Sequence, residues 1–167
     1  MERIKIQVAD NRVYGLLYLY DLHTGLLAKA LEGIPDDAAH NRLETKANHI
    51  AWLTGSLVQQ RFELARHVGI EKQQAAFELF RNNKGIEDET SYPSLDSFQT
   101  DWHAVSPFLR DALTSATTET LDREIDMGEM KMSFFELLGF IIYREANIIG
   151  QIALWRRLLG YPAMKYM

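Results

Sequence analysis

The residue types that most readily do chemistry are sparse in this sequence, and their spacing is unhelpful to a metal. Five histidines occur, His23, His40, His49, His67 and His103, and no two lie three or four apart. That spacing would be needed to put two imidazoles on one helix face before a single ion. There is no cysteine, which excludes disulfides, thiolate ligands, a Cys nucleophile and a resident redox thiol. Ser56 has no assignable base, so it is no credible nucleophile. Trp52, Trp102 and Trp155, with Tyr14, Tyr18, Tyr20 and Tyr143, would line an apolar pocket, although aromatics at helical spacing serve first as core.

Four helices must position these groups. Apolar residues recur at helical spacing in four segments, and no segment alternates convincingly with period two. The first, 11–32, carries Leu16, Leu17, Tyr20, Leu27 and Leu31 and is stopped by Gly33 and Pro35. The second runs from 36 or 37 to 67, with Ile50, Leu53, Leu57, Leu64 and Val68 as its stripe and Gly69 as a C-terminal cap. The third places Leu95, Phe98, Trp102, Val105, Leu109 and Ala112 three and four apart, with Ser94 as N-cap. The fourth opens on the capping box Ser133-Phe134-Phe135-Glu136 and stops at Gly160-Tyr161-Pro162.

The connection over 69–93 is long for a bundle, where linkers usually take roughly two to eight residues. One long crossover lets helices two and three run parallel. The sequence therefore predicts an all-α, single-domain four-helix bundle over 1–167, in up-down-down-up order.

Composition narrows the function. With 18 Lys+Arg against 23 Asp+Glu the formal charge is -5, which offers no general attraction for nucleic acid. Met1-Glu2-Arg3-Ile4-Lys5 is followed by no long apolar run, so no signal peptide is predicted. The most apolar stretch, 134–143, is shorter than the roughly 20 residues a membrane span needs. These features and the missing cysteines predict a cytoplasmic protein with no membrane or nucleic-acid partner.

The segment Tyr143-Arg144-Glu145-Ala146-Asn147-Ile148-Ile149-Gly150-Gln151-Ile152 resembles a signature of the DinB/YfiT-like family, usually His-Glu-Ala-x-His-x-Gly-Gln-Ile. Asn48 to Leu57 is similar to that family's second-helix motif, and Tyr92-Pro93-Ser94 to the element before its third helix. The ending Gly160-Tyr161-Pro162-Ala163-Met164-Lys165-Tyr166 also looks like the family's own. The resemblance covers nearly the whole chain in order.

Members of that family commonly hold a divalent metal with one histidine from helix two and a His-x-x-x-His pair from helix four. The matching positions here are Ser56, Arg144 and Ile148. Isoleucine has no donor atom, and arginine has no free lone pair and a fixed positive charge. The resemblance thus implies a degenerate, metal-free member with no cofactor. The alternative is zinc or nickel at a relocated site using His49 and Glu145, in a hydrolase or thiol-dependent transferase.

The favoured expectation is a small-molecule binding or interaction protein rather than an enzyme. Its candidate pocket comprises Ser56, Arg144, Ile148, His49, Trp52 and Asn147. A guanidinium in the former metal position must meet a carboxylate, carbonyls, water or a bound anion. Either Arg144 pairs with an acidic residue such as Glu145 of a neighbouring helix or chain, or it holds an anionic or carboxylate ligand with Ser56 and Asn147. Helix four is apolar around much of its circumference, and family members often dimerise, so a homodimer is expected. Gln59-Gln60-Arg61 and Arg156-Arg157 read as solvated faces.

Overall fold

In the computed structural model, which describes residues 6–166, the chain is mostly helical. Residues 1–5 and Met167 lie outside the described residues, and with them the pentapeptide that opens the signal-peptide reading. In order come α1 (Val13–Leu31), α2 (Asp36–Ala39), α3 (Ile50–Arg66), α4 (Phe77–Phe80), α5 (Leu95–Thr114) and α6 (Thr118–Asp122). The hairpin β1 (Glu124–Asp126) and β2 (Lys131–Ser133) then leads directly into α7 (Phe134–Leu158).

Side-chain chemistry sets the ends of the long helices. Ser94 caps α5 by accepting from Ser97 N at 3.2 Å. At α7 the capping box is complete: Ser133 Oγ accepts from Glu136 N at 3.2 Å, and Glu136 Oε2 accepts from Ser133 N at 2.7 Å. Gly33 beyond α1 and Gly160 beyond α7 take φ of 72° and 85°, a left-handed conformation that favours glycine.

The expected second helix is broken. α2 ends at Ala39, and α3 begins only at Ile50. Between them Leu43 and Glu44 adopt φ of 49° and 59°, which no right-handed helix can accommodate. Arg42 ties the loop together by donating to Ala47 O at 2.8 Å and to Lys46 O at 2.5 Å. Asp36 accepts from Leu95 N at 2.8 Å, so short α2 seats the first turn of α5. The hairpin is the second departure from expectation. Buried Ile125 sits between exposed Glu124 and Asp126, opposite Met132, and three residues are too few for a readable period of two.

Cross-helix contacts give the helix directions. His23 meets Glu145, and Ala30 O meets Arg156, so both positions advance together along α1 and α7. Arg61 reaches Ser106, and a side chain at Gly55 would strike Phe98, so α3 and α5 also run the same way. Tyr20 to Ser106 and Thr24 to Trp102 run in opposite senses on α1 and α5. The pair α3 and α7 is likewise opposed, with Arg61 beside Glu145 and His67 beside Phe134.

Residues 67–94 cross from the end of α3 back to the start of α5 and lie against α3 on the way. Phe80 of α4 presses on Gly55, where an added Cβ would overlap the Phe80 ring. Only glycine admits that contact. Gln74 fastens the crossing again, donating from Nε2 to Gly55 O at 3.2 Å and to Gln59 Oε1 at 2.8 Å.

α7 is long and apolar enough to cross a membrane by length and composition, with mean hydropathy 1.3 over 18 residues. The ten-residue apolar run therefore understates the helix, and length does not set it apart from a span. Packing against both α1 and α3 buries part of its broad apolar surface and leaves Phe140, Tyr143, Leu154 and Leu158 exposed.

Candidate functional site

Two rungs cross from α3 to α7 side by side, one between Arg61 and Glu145 and one between Gln60 and Arg144. The first is closed. Arg61 is fully buried and donates from Nε to Glu145 Oε1 at 2.6 Å and from Nη2 to Glu145 Oε2 at 3.0 Å. Its Nη1 donates to Thr24 Oγ1 at 2.8 Å and Ser106 Oγ at 2.7 Å, and Nη2 reaches Tyr20 O at 3.3 Å. The guanidinium is also sandwiched between rings, 3.8 Å from the Tyr20 centroid and 3.4 Å from that of Trp102.

His23 Nδ1 completes the surroundings of Glu145 at 3.1 Å. Burial alone would raise the Glu145 pKa, but Arg61 and His23 outweigh it and hold the carboxyl below its ordinary value. Burial pushes the Tyr20 phenol up to about 12, and that hydroxyl donates to Ser106 O at 2.8 Å. All the Arg61 N–H donors and both Glu145 oxygens are engaged, so this layer reads as structure.

The second rung is open. With the Gln60 amide turned oxygen-inward, its oxygen lies 2.9 Å from Arg144 Nε and 3.0 Å from each Nη. A point near all three guanidinium nitrogens must stand over Cζ, on the face of the group. The N–H bonds lie in the guanidinium plane and point elsewhere. Among the described residues Arg144 forms no ion pair, and the adjacent Glu145 is committed to Arg61.

Arg144 faces a cavity of about 390 Å³ between α3 and α7. On the α3 side stand Trp52, Ser56, Gln59, Gln60 and Glu63; on the α7 side, Leu137, Phe140 and Ile141. Phe80, Asn83 and Lys84 of the crossing and Met127 of the hairpin turn finish the walls. Asn82 and Asn83 hold φ of 55° and 56°, a left-handed pair that asparagine tolerates better than most residues.

The structure brings three of the six expected residues together. Trp52, Ser56 and Arg144 line the cavity. Ile148 is 3% exposed and belongs to the hydrocarbon core. Asn147 is exposed and accepts from Gln151 Nε2 at 2.7 Å. His49 caps α3, accepting at Nδ1 from Trp52 N at 3.0 Å, with its ring 5.2 Å from His40 and 5.4 Å from Tyr92. Burial, then His40, pulls the His49 pKa down to about 4. His67, at the cavity's far end, is lowered by burial and by Arg123 and Arg66.

Two expected solvated faces are corrected. Gln59, Gln60 and Arg61 are all buried, because this stretch of α3 supplies both rungs. Arg156 is also buried and donates to Ala30 O at 3.0 Å and Glu32 O at 2.6 Å, closing the C-terminal carbonyls of α1. Of that pair only Arg157 is exposed. Arg61 had one sequence signal: it fills the turn that the apolar stripe skips between Leu57 and Leu64. Trp52 Nε1 and Gln74 Oε1 are buried without a hydrogen-bond partner among the described residues.

At the three positions that match the family's ligands, the donor chemistry does not fit a metal. Ser56 offers one weak oxygen, Arg144 a fixed positive charge, and Ile148 nothing. Among the described residues no three His, Asp or Glu side chains converge as ligands. His49 and Glu145, the relocated pair, are separately engaged, one as a helix cap and the other with Arg61 and His23. Compared with known proteins, the chain matches no family model and no curated sequence.

Proposed function

We propose that the chain is a metal-free small-molecule binding protein, DinB/YfiT-like in descent, that holds a small anionic or carboxylate ligand at Arg144. The observation that carries this reading is the open rung: a half-buried guanidinium faces a cavity, and the neighbouring carboxylate is engaged elsewhere. The fold reading is a four-helix bundle in up-down-down-up order. It is supported by the shared direction of α1 with α7 and of α3 with α5, and by the long crossing over 67–94. Pairing into a homodimer is the companion reading. It is supported by Tyr18 and Leu22 on α1 and Tyr143 and Leu154 on adjoining α7, all exposed.

Native mass spectrometry of the untagged full chain, with elemental analysis in parallel, tests the function. The expected result is a noncovalent anion on the wild-type chain that Arg144→Gln removes, with no stoichiometric transition metal. One metal per chain, lost on His49→Ala, would sink the reading and favour metal-dependent hydrolysis or thiol transfer. The same spectra report whether the chain is paired.

A further inference from the structure

We infer that the cavity selects a monocarboxylate with an apolar body, its head on the free edge of Arg144, and that Glu63 excludes ligands with a second negative charge. The inference rests on the proposed role of Arg144 as an anion site and adds the ligand's class and the residue that restricts it.

The head group follows from how Arg144 is held. The Gln60 oxygen over its face fixes the guanidinium plane and leaves the N–H edge for a ligand. That edge is a planar fork whose two parallel donors match the two oxygens of a carboxylate. Ser56 stands one turn before Gln60 on α3, in the same cavity, and offers a hydroxyl beside the head position.

The charge follows from what else the cavity contains. Lys84 is balanced by Glu87, 3.1 Å away. Glu63 lines the same cavity, accepts from Gln59 Nε2 at 2.9 Å, and forms no ion pair among the described residues. It lies three residues after Gln60, the partner of Arg144, and side chains at that spacing are neighbours on a helix. A ligand's first negative charge thus meets Arg144, and a second meets Glu63. A phosphate monoester, at about -1.5 to -2 near neutral pH, suffers the same conflict.

The body follows from the remaining walls. Leu137, Phe140 and Ile141 of α7, with Met127, offer hydrocarbon and no charge. A volume of about 390 Å³ lies near the small end of ligand pockets, roughly 300–1,000 Å³. An aryl or short alkyl chain ending in one carboxylate satisfies all three conditions.

The test is calorimetric titration of the full chain with 4-phenylbutyrate, 4-phenylbutanol, phenyl phosphate and glutarate. The wild-type chain is expected to bind one 4-phenylbutyrate, with each of the other three at least about tenfold weaker. Arg144→Gln and the charge-keeping Arg144→Lys are each expected to weaken 4-phenylbutyrate about tenfold or more, since neither presents the fork. Should the Gln variant fold poorly, the Lys variant alone decides. Glu63→Gln is expected to tighten glutarate about fivefold and move 4-phenylbutyrate by less than about twofold. If glutarate or phenyl phosphate binds as tightly as 4-phenylbutyrate and still needs Arg144, the ligand class is wrong and the anion site stands. If 4-phenylbutyrate and 4-phenylbutanol bind alike and neither responds to Arg144, both readings fall.

Discussion

Arg61 and Arg144 are reached from consecutive positions of α3 and α7, yet their surroundings are opposites. Arg61 is enclosed by a carboxylate, two hydroxyls, a carbonyl and two aromatic faces. Arg144 has one amide oxygen on its face and a cavity before its edge. The difference shows that a buried charge fully matched by its neighbours is spent on the fold. A charge left with free donors remains available to something outside it.

Removing one partner of the closed rung tests that contrast most severely. Arg61→Met or Glu145→Gln strands the other group, and each is expected to cost about 3–5 kcal/mol in urea unfolding. The double change Arg61→Met with Glu145→Leu should recover most of that loss, because no charge is then left stranded. If the double variant is as unstable as the singles, the layer's value lies in its packing and not in the ion pair.

Acid unfolding sharpens the same contrast. His49 takes a proton near pH 6.5 when unfolded but only near 4 when folded, so acid favours the unfolded chain. Stability is expected to fall from about pH 6.5 down to about 4, by about 3 kcal/mol in total. His49→Asn keeps a capping oxygen and should remove the His49 share of that loss, leaving the part due to His67, whose folded pKa is also lowered. Glu145 has a lowered folded pKa, so its contribution is present above its ordinary value and is lost as pH drops below it. That second loss should persist in His49→Asn and vanish in Glu145→Gln.

Smaller effects are expected away from the closed rung. Gly55→Ala must displace both Phe80 and Phe98 and should cost about 1–3 kcal/mol by overpacking. Arg144→Gln should change stability least, by less than about 1 kcal/mol. A loss comparable to that of Arg61→Met would show that the open rung is structural after all.

Much of the frame is legible in the sequence because helix ends are local. Ser94, Ser133 with Glu136, Gly33 and Gly160 act through bonds and dihedrals within a few residues of themselves. The broken second helix is not legible, since it depends on the left-handed pair Leu43 and Glu44 and on Asp36 serving α5 instead of its own helix. The site is half legible. Ser56 and Arg144 are marked by the likeness to a metal-binding motif, and the structure brings both to the cavity. Glu63, Gln60 and Lys84 carry no such mark, because the first two, on α3, meet Arg144 and Lys84 only when α7 and the crossing pack against that helix. Arg61 and Glu145 each interrupt an apolar stripe at the turn where they face one another, and reading the two gaps together would have paired them.

The clasp of Phe80 and Gln74 on Gly55 carries a consequence for how the molecule breathes. The crossing supplies one wall of the cavity and is fastened to α3 at Gly55 by the Phe80 ring and the Gln74 amide. Lifting that clasp would bare the Gly55 notch and unroof the cavity in a single event, while the Arg61 layer beneath stays intact. Amide hydrogens around residues 77–84 should therefore exchange through one shared opening, at lower free energy than those of α3 beside Arg61. An occupant of the cavity would slow that exchange without touching the deeper layer.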